Sequence, residues 1–329
     1  MSIEIEYLGG PQIKELALTD EQILDAVEGG LIAAGRGDTV IEPRMHLAPG
    51  RSDGHFNVLR GVIGDYAGVK VVGDFVDNYK SGLPSEMALL NLFDPMNGAP
   101  KAVIDAAGIT DMRTGAVTAI GAKHLAPEKP RILGHIGARG TAYWNVRLLD
   151  HLFDFEEIRV HSRRPESREP FGERLSQDLG KPVIVTEDWE SCLKDADIMV
   201  EASRLREPTP MFDPAWVKPG ALVIPYGTMS SLPLEFVDGI DAFFMDDLGQ
   251  MNAGDFGALR PHIQAGKVTR DSFRAEIGEV AAGAKPGRKS ADETILFWHR
   301  GLATSDIALG VRMLELARER GIVMRLPYA

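Results

Sequence analysis

The apolar pattern changes character near residue 110. Over 20–34, Ile23, Leu24, Val27, Leu31 and Ile32 recur at helical spacing, and Thr19 or Asp20 can cap the start. Short β-like runs follow at 40–47, 56–63, 69–75, 88–93 and 102–106, with Asp94-Pro95-Met96-Asn97-Gly98 as a turn. This first stretch predicts an α+β unit built round a sheet. Beyond it, a helix is expected over 110–125, stopped by Pro127, then a strand at 132–136 and a glycine turn. A helix carrying Trp144, Val146, Leu149 and Leu152 comes next, then a strand at 157–162. Helix 170–179, strand 183–186, helix 189–194 and strands 198–201, 221–225 and 242–245 continue the series. Strands alternating with helices of this length predict an α/β unit with a doubly wound parallel sheet. The periodic segment 306–320 is expected to form a last helix that returns to the first unit. Boundaries are expected at 1–115 with 305–329 for one domain and 116–304 for the other.

The turn after strand 132–136 carries candidate chemistry. A pyrophosphate needs exposed backbone N–H groups at a helix start, and close approach needs glycine. Strand, turn and helix stand in that order, so Gly137, Ala138, Arg139, Gly140 and Thr141 are candidate dinucleotide contacts of a Rossmann unit. The pattern is an imperfect G-x-G-x-x-G/A: Gly137 and Ala142 fit its ends, and Arg139 stands where the middle glycine belongs. An acidic residue ending the second strand would bind ribose hydroxyls; this chain has Ser162-Arg163-Arg164 there. A hydroxyl and two guanidiniums suit a 2′-phosphate, which favours NADP(H) over NAD(H). A solvated basic turn is the plainer alternative.

Composition narrows the function classes. The chain has 329 residues and a net charge of −12, which argues against non-specific nucleic-acid binding while leaving room for a local cationic pocket. A single cysteine, Cys192, excludes an intrachain disulfide framework and fits a reducing compartment. The start is acidic without a signal-like apolar segment, and no apolar run approaches the ~20 residues of a membrane span. A cytoplasmic protein without membrane partners is expected. His46, His55, His124 and His262 lack metal-ligand spacing, so no metal is expected. Asp246-Asp247, ending a short strand, reads as a helix cap or a dinucleotide contact.

Several segments, in order, carry a family resemblance. Thr110-Asp111-Met112-Arg113-Thr114-Gly115-Ala116 resembles the T-x-x-R-T-x-A segment of the ornithine cyclodeaminase/mu-crystallin family. Pro43-Arg44, Gly68-Val69-Lys70, Leu83-Pro84-Ser85, Phe93-Asp94-Pro95 and Gly301-Leu302-Ala303-Thr304-Ser305-Asp306 resemble further segments of that family. The resemblance implies a homodimer, with a substrate-binding and dimerisation domain formed by the N-terminal part and the last helix, and a Rossmann domain between. It implies hydride transfer between nicotinamide and the α-carbon of a small amino or imino acid, as in an imine reductase or amino-acid dehydrogenase. By the same resemblance, Arg44 and Arg113 hold the substrate carboxylate, Lys70 contacts substrate and relays a proton, and Ser85, Arg113, Thr114 and Ser203 lie at the cofactor. Gly227, Thr228 and Met229 follow the next strand end and join the candidate cofactor contacts.

The residue chemistry agrees with those roles. A guanidinium holds a carboxylate in two bonds. A lysine buried beside arginines has a depressed pKa and can exchange protons near neutrality. The chain also departs from the family. Met229 stands where the cyclodeaminase subgroup has an aspartate, and Pro233 where it has a lysine. A thioether can neither bind ammonium as an anion nor act as a base, so cyclodeamination would need a relocated acid, and a non-catalytic NADPH-binding protein resembling mu-crystallin is the other alternative. Asn57 and Arg60 replace a "M-P" segment; Arg60 would suit a second acidic group on the substrate or be a plain exposed strand residue. His299 stands where the family often has a small residue near the nicotinamide, as an acid/base candidate or a helix cap.

Overall fold

Strand β1 (Glu4–Leu8) leads into α1 (Gly10–Leu16) and α2 (Asp20–Gly35). Thr19 starts α2 with a capping box: its hydroxyl accepts from the Gln22 amide, and the Gln22 side chain accepts from the Thr19 amide. Residues 3–50, 54–254 and 256–329 are described in this computed structural model. Four strands follow in antiparallel succession: β2 (Thr39–Leu47), β3 (His55–Ile63), β4 (Tyr66–Asp74) and β5 (Glu86–Phe93). Strand β6 (Pro100–Asp105) then pairs with β5 and, in parallel, with β1.

Helix α3 (Ala107–Leu125) opens the alternating part, which contains strands β7 (Ile132–Ile136), β8 (Glu157–His161), β9 (Ile184–Val185), β10 (Ile198–Glu201), β11 (Leu222–Pro225), β12 (Ala242–Met245), β13 (Phe273–Glu276) and β14 (Ile295–Trp298). Among them lie α4 (Ala142–Phe153), α5 (Pro165–Leu179), α6 (Trp189–Leu193), α7 (Arg260–Gln264) and α8 (Ile277–Ala281). The chain closes with α9 (Ala303–Glu319) and β15 (Met324–Pro327).

Two units result. One comprises Met1–Arg113, Asn252–Gly254 and Gly301–Ala329; the other comprises Thr114–Met251 and Asp255–Arg300. The first unit holds a sheet ordered β15-β1-β6-β5-β4-β3-β2. Helix α9 packs against α2 and against β3, β4 and β5, and buries Ile307, Leu309, Met313 and Leu314. The second unit holds a sheet ordered β13-β12-β14-β11-β10-β7-β8-β9, in which every neighbouring pair is parallel. The chain goes from β7 to β8 on one side and later to β10 on the other. The carboxyl ends of β7 and β10 therefore flank the switch point, where open α/β sheets place ligands.

The fold is the expected mixed α/β architecture with a parallel Rossmann-type sheet. Strands β13 and β14 enlarge that sheet beyond the periodic pattern, and β1 and β15 add a terminal pair to the first. Helix α5 begins at Pro165 and not at 170, because a proline in the first turn has its φ preset and forfeits no internal bond. Pro170 is carried inside the helix. Among the described residues, no helix is long and apolar enough to cross a membrane.

Candidate functional site

In the first unit, Lys70 sits in the middle of β4, paired across to Leu59 and Leu90. Its side chain points to the face that α9 covers, and only 1 % of the residue is exposed. Burying an ammonium is costly unless acceptors surround it. Two do. Nζ donates to Thr110 Oγ1 at 3.1 Å and to Asp306 Oδ1 at 2.5 Å. The Thr110 hydroxyl gives its own proton to the Ala106 carbonyl, so towards Lys70 it can only accept. Two of the three positions on Nζ are thereby fixed. The third is a transferable proton when the amine is charged and a lone pair when it is neutral. Burial, assisted by the cations Arg113 and Arg44 and opposed by Asp306, lowers the amine to about 7.

Asp306 lies in the first turn of α9 and is fully buried. The same Oδ1 that accepts from Lys70 also accepts from Arg113 Nε at 2.8 Å. Arg113 covers Gly301, whose φ is +84°; a Cβ there would lie 1.9 Å from Arg113 Nη1. Arg44 donates from Nη2 to the Gly301 carbonyl at 3.4 Å. Thus Arg44, Lys70 and Arg113 gather round one glycine and one aspartate, a cationic cluster inside an acidic chain. Asp111, whose carboxyl burial pushes up to about 6, feels Arg113 and Lys70.

Other candidates of this unit stand elsewhere. Arg60 turns to Glu42 on the neighbouring strand at 3.4 Å, with side-chain exposures of 35 % and 56 %. Ser85 lies in the bend before β5, where its carbonyl accepts from the Phe75 amide. The sequence reading did not place Asp306 or Thr110 at the site, although both stand inside family-like segments.

In the second unit, β7 is followed by Gly137, whose φ is +112°. A Cβ there would lie 3.0 Å from the Ala202 carbonyl, just beyond β10, so the switch point admits only glycine without displacement. The Gly137 amide bonds the His161 carbonyl at 2.9 Å. The amides of Ala138, Arg139, Gly140 and Thr141 have no acceptor among the described residues. Free amides at the start of α4 form a cradle for an anion, and a dinucleotide pyrophosphate fits it. Arg139 is exposed and donates from Nη2 to Ser167 Oγ at 3.2 Å. It therefore points across to the first turn of α5, immediately after Ser162, Arg163 and Arg164. Arg163 and Arg164 are exposed, and Arg168 donates to the Ser162 carbonyl at 3.4 Å.

On the other side of the switch point, Glu201 ends β10 fully buried. Its Oε1 accepts from the Ser203 amide at 2.7 Å and from the Ser203 hydroxyl, and its Oε2 accepts from Ser231 Oγ at 3.0 Å. Its backbone carbonyl accepts from the Gly227 amide, and the Thr228 amide bonds the Ser203 carbonyl. The Glu201 side chain thus ties Ser203 to Ser231, while the backbone carbonyls of Glu201 and Ser203 hold Gly227 and Thr228. Burial raises the Glu201 carboxyl above the usual range. Met229 is half-buried and packs on the apolar core of this unit.

Thr114 and Thr118 lie on α3. The Thr118 hydroxyl donates to the Thr114 carbonyl at 3.2 Å, so the 2.9 Å contact with His299 has Nε2 as donor. The His299 ring stacks on Tyr226, with centroids 4.5 Å apart. Tyr226 Oη pairs with Thr141 Oγ1 in the glycine turn at 2.6 Å and accepts from Asn145 Nδ2. Tyr226, Thr118 and Glu201 escaped the sequence reading; their only signal was a place at a strand end or on the first helix of the unit. Asp246 accepts from the Arg300 amide, and Asp247 from the Gly249 amide in a single helical turn.

The chain matches the ornithine cyclodeaminase/mu-crystallin family over residues 10–320. It is 28 % identical over 331 residues to alanine dehydrogenase of Archaeoglobus fulgidus, spanning 99 % of each. The structure of an archaeal alanine dehydrogenase dimer with bound NAD superposes with a TM-score of 0.91 at 27 % identity, over 99 % of this chain and 100 % of that one. Thermococcus litoralis Δ1-pyrroline-2-carboxylate reductase, in complex with NADH and L-proline, superposes with a TM-score of 0.89 at 26 % identity, over 97 % and 99 %. With the family matched along nearly its whole length and the fold shared throughout, the chain belongs to the ornithine cyclodeaminase/mu-crystallin family.

Proposed function

We propose that the protein is a nicotinamide-dinucleotide-dependent oxidoreductase of a small amino or imino acid, acting at the α-carbon as an imine reductase or amino-acid dehydrogenase. The observation that carries this reading is Lys70: a buried amine with two positions fixed, one open, and a pKa of about 7. Arg44 and Arg113 bind the substrate carboxylate beside it. The dinucleotide, when bound, supplies or takes up the hydride. Lys70 gives a proton to the substrate nitrogen during imine reduction and takes one during amine oxidation, so charge balances at the nitrogen as the α-carbon changes oxidation state. Arg60 is drawn to Glu42 and so supports a substrate with one carboxylate over a dicarboxylic one.

NADP(H) is the cofactor of choice in this reading, because Arg139 reaches Ser167 in the first turn of α5, which follows Ser162, Arg163 and Arg164 in the chain, and no carboxylate stands at 161–164. Ser203, Gly227 and Thr228 lie on the nicotinamide side. The protein acts as a homodimer. The sheet face opposite α9 supports this, since Met45, Val58, Val71 and Leu89 are cross-strand neighbours on it, and Met45 and Leu89 are 55 % and 47 % exposed. Met229, packed on the core, supplies no acid for cyclodeamination.

The test is NADPH and NADH oxidation with Δ1-pyrroline-2-carboxylate, pyruvate plus amines, and iminosuccinate. Turnover of a monocarboxylic imine, lost in Lys70→Met with dinucleotide affinity retained, is expected. A folded protein that binds NADPH and turns over none of these substrates would be a binding protein, and the reading would fall.

A further inference from the structure

The cations Lys70 and Arg113 share more than proximity. Both donate to one atom, Asp306 Oδ1, at 2.5 and 2.8 Å, and Asp306 Oδ2 is buried with no bond among the described residues. The groups around Lys70 come from three elements. Helix α9 supplies Asp306; α3 supplies Thr110, Asp111 and Arg113; β2 supplies Arg44. Removal from water, Arg113 and Arg44 all favour the neutral amine, and Asp306 is the acid in contact that favours the charged one. Thr110 fixes direction only, because a hydroxyl carries no net charge.

We propose that Asp306 is the positioning residue of the site: through Oδ1 it aims the Lys70 amine against Thr110 and anchors Arg113 with the same atom, tying carboxylate capture to proton exchange. The proposal rests on the reading of Lys70 given above. Asp306 does not touch substrate in this role; it acts through the two cations. The geometry explains why a fully buried aspartate stands in the first turn of α9. Without its charge, Lys70 would keep its place in β4 but lose the partner that holds a proton on it. Arg113 would lose the bond that fixes the plane of its guanidinium over Gly301.

The direct measurement is the titration of the Lys70 side chain by NMR of ¹³C-lysine-labelled full-length protein, with the signal assigned from Lys70→Met. The wild-type midpoint is expected at about 7. Asp306→Asn, nearly isosteric, is expected to lower it by about one unit or more. Where turnover is found, the rate of imine reduction falls as pH rises through the midpoint, because the protonated donor is lost. Amine oxidation rises through the same pH. Both limbs are expected to move to lower pH in Asp306→Asn.

A merely structural aspartate would reduce kcat without moving the midpoint, so an unmoved midpoint or limb overturns the proposal. If Asp306→Asn fails to fold, Arg113→Gln does not replace it. Arg113 is itself a cation that lowers the Lys70 midpoint, so its loss raises the midpoint on any account of Asp306. The deciding variant is then Asp306→Glu, which keeps the charge but displaces the oxygen shared by Lys70 and Arg113, and an unmoved midpoint there overturns the proposal. A shifted midpoint in a protein with no turnover would sink the activity and leave the role of Asp306 standing. Turnover with an unmoved limb would do the reverse.

Discussion

Arg139 shows how a single side chain can be legible in position and opaque in direction. The sequence puts it at the middle position of the glycine turn, which suggests that it lies over or beside the pyrophosphate. Its guanidinium meets Ser167, 28 residues away on α5. It is exposed, so most of its donors stay available to a ligand. On this geometry Arg139→Gly is expected to weaken NADPH binding about tenfold, the scale of one lost charge-assisted bond of ~1.4 kcal/mol, and NADH binding much less. Paired calorimetric titrations would read the difference; equal losses for both cofactors would return Arg139 to the pyrophosphate. Lys70, Arg44 and Arg113 were legible because each stands in a distinctive segment. Asp306 stood in such a segment too, yet its role depends on a partner 236 residues away, which no local pattern encodes.

Local elements were legible where chemistry and periodicity agree. The segment 20–34 has a cap, an apolar stripe and no interior proline, and α2 runs through Gly29-Gly30 to match it within a residue. Thr19→Ala removes the hydroxyl half of the capping box and is expected to cost about 1 kcal/mol. Hydrogen exchange at the first-turn amides Gln22 and Ile23 should then quicken about fivefold, and unchanged exchange would show that packing alone holds that end. Most of the missed elements have physical reasons. Strand β13 has two charged residues among its four, so no apolar run shows there, whereas β14, Ile295-Leu296-Phe297-Trp298, is as apolar as β12 and was legible in the sequence. Strand β15 is exposed along its whole length and exists through its pairing with β1, not through its own composition. The expected start of α5 followed Pro170 because an interior proline normally breaks a helix; here a second proline at the true start outweighed that sign.

At the scale of the molecule, composition set broad limits and folding supplied the exceptions. A net charge of −12 coexists with a cluster of Lys70, Arg44 and Arg113, of which Lys70 and Arg113 are buried in the first unit. The sheet face carrying Met45, Val58, Val71 and Leu89 was visible only after pairing, since these four residues come from four different strands. Leu89→Asp places a charge in the middle of that face. It is expected to convert a dimer into a monomer in light scattering while leaving far-ultraviolet circular dichroism unchanged. A variant that stays dimeric would move the interface to another surface.

The return of the chain to its first unit also bears on how the protein is made. Lys70 is synthesised early and Asp306 late, with the whole parallel sheet between them. On the ribosome, α2 and the antiparallel strands emerge before α9 exists to cover them, so their apolar face has no internal cover during most of translation. The second unit, continuous in sequence apart from a three-residue excursion, can close first. The first unit becomes complete only when α9 docks, and that same step brings Asp306 to Lys70. Maturation of the fold and arming of the amine are therefore one event, and a chain stalled short of α9 would carry the lysine without its counter-ion.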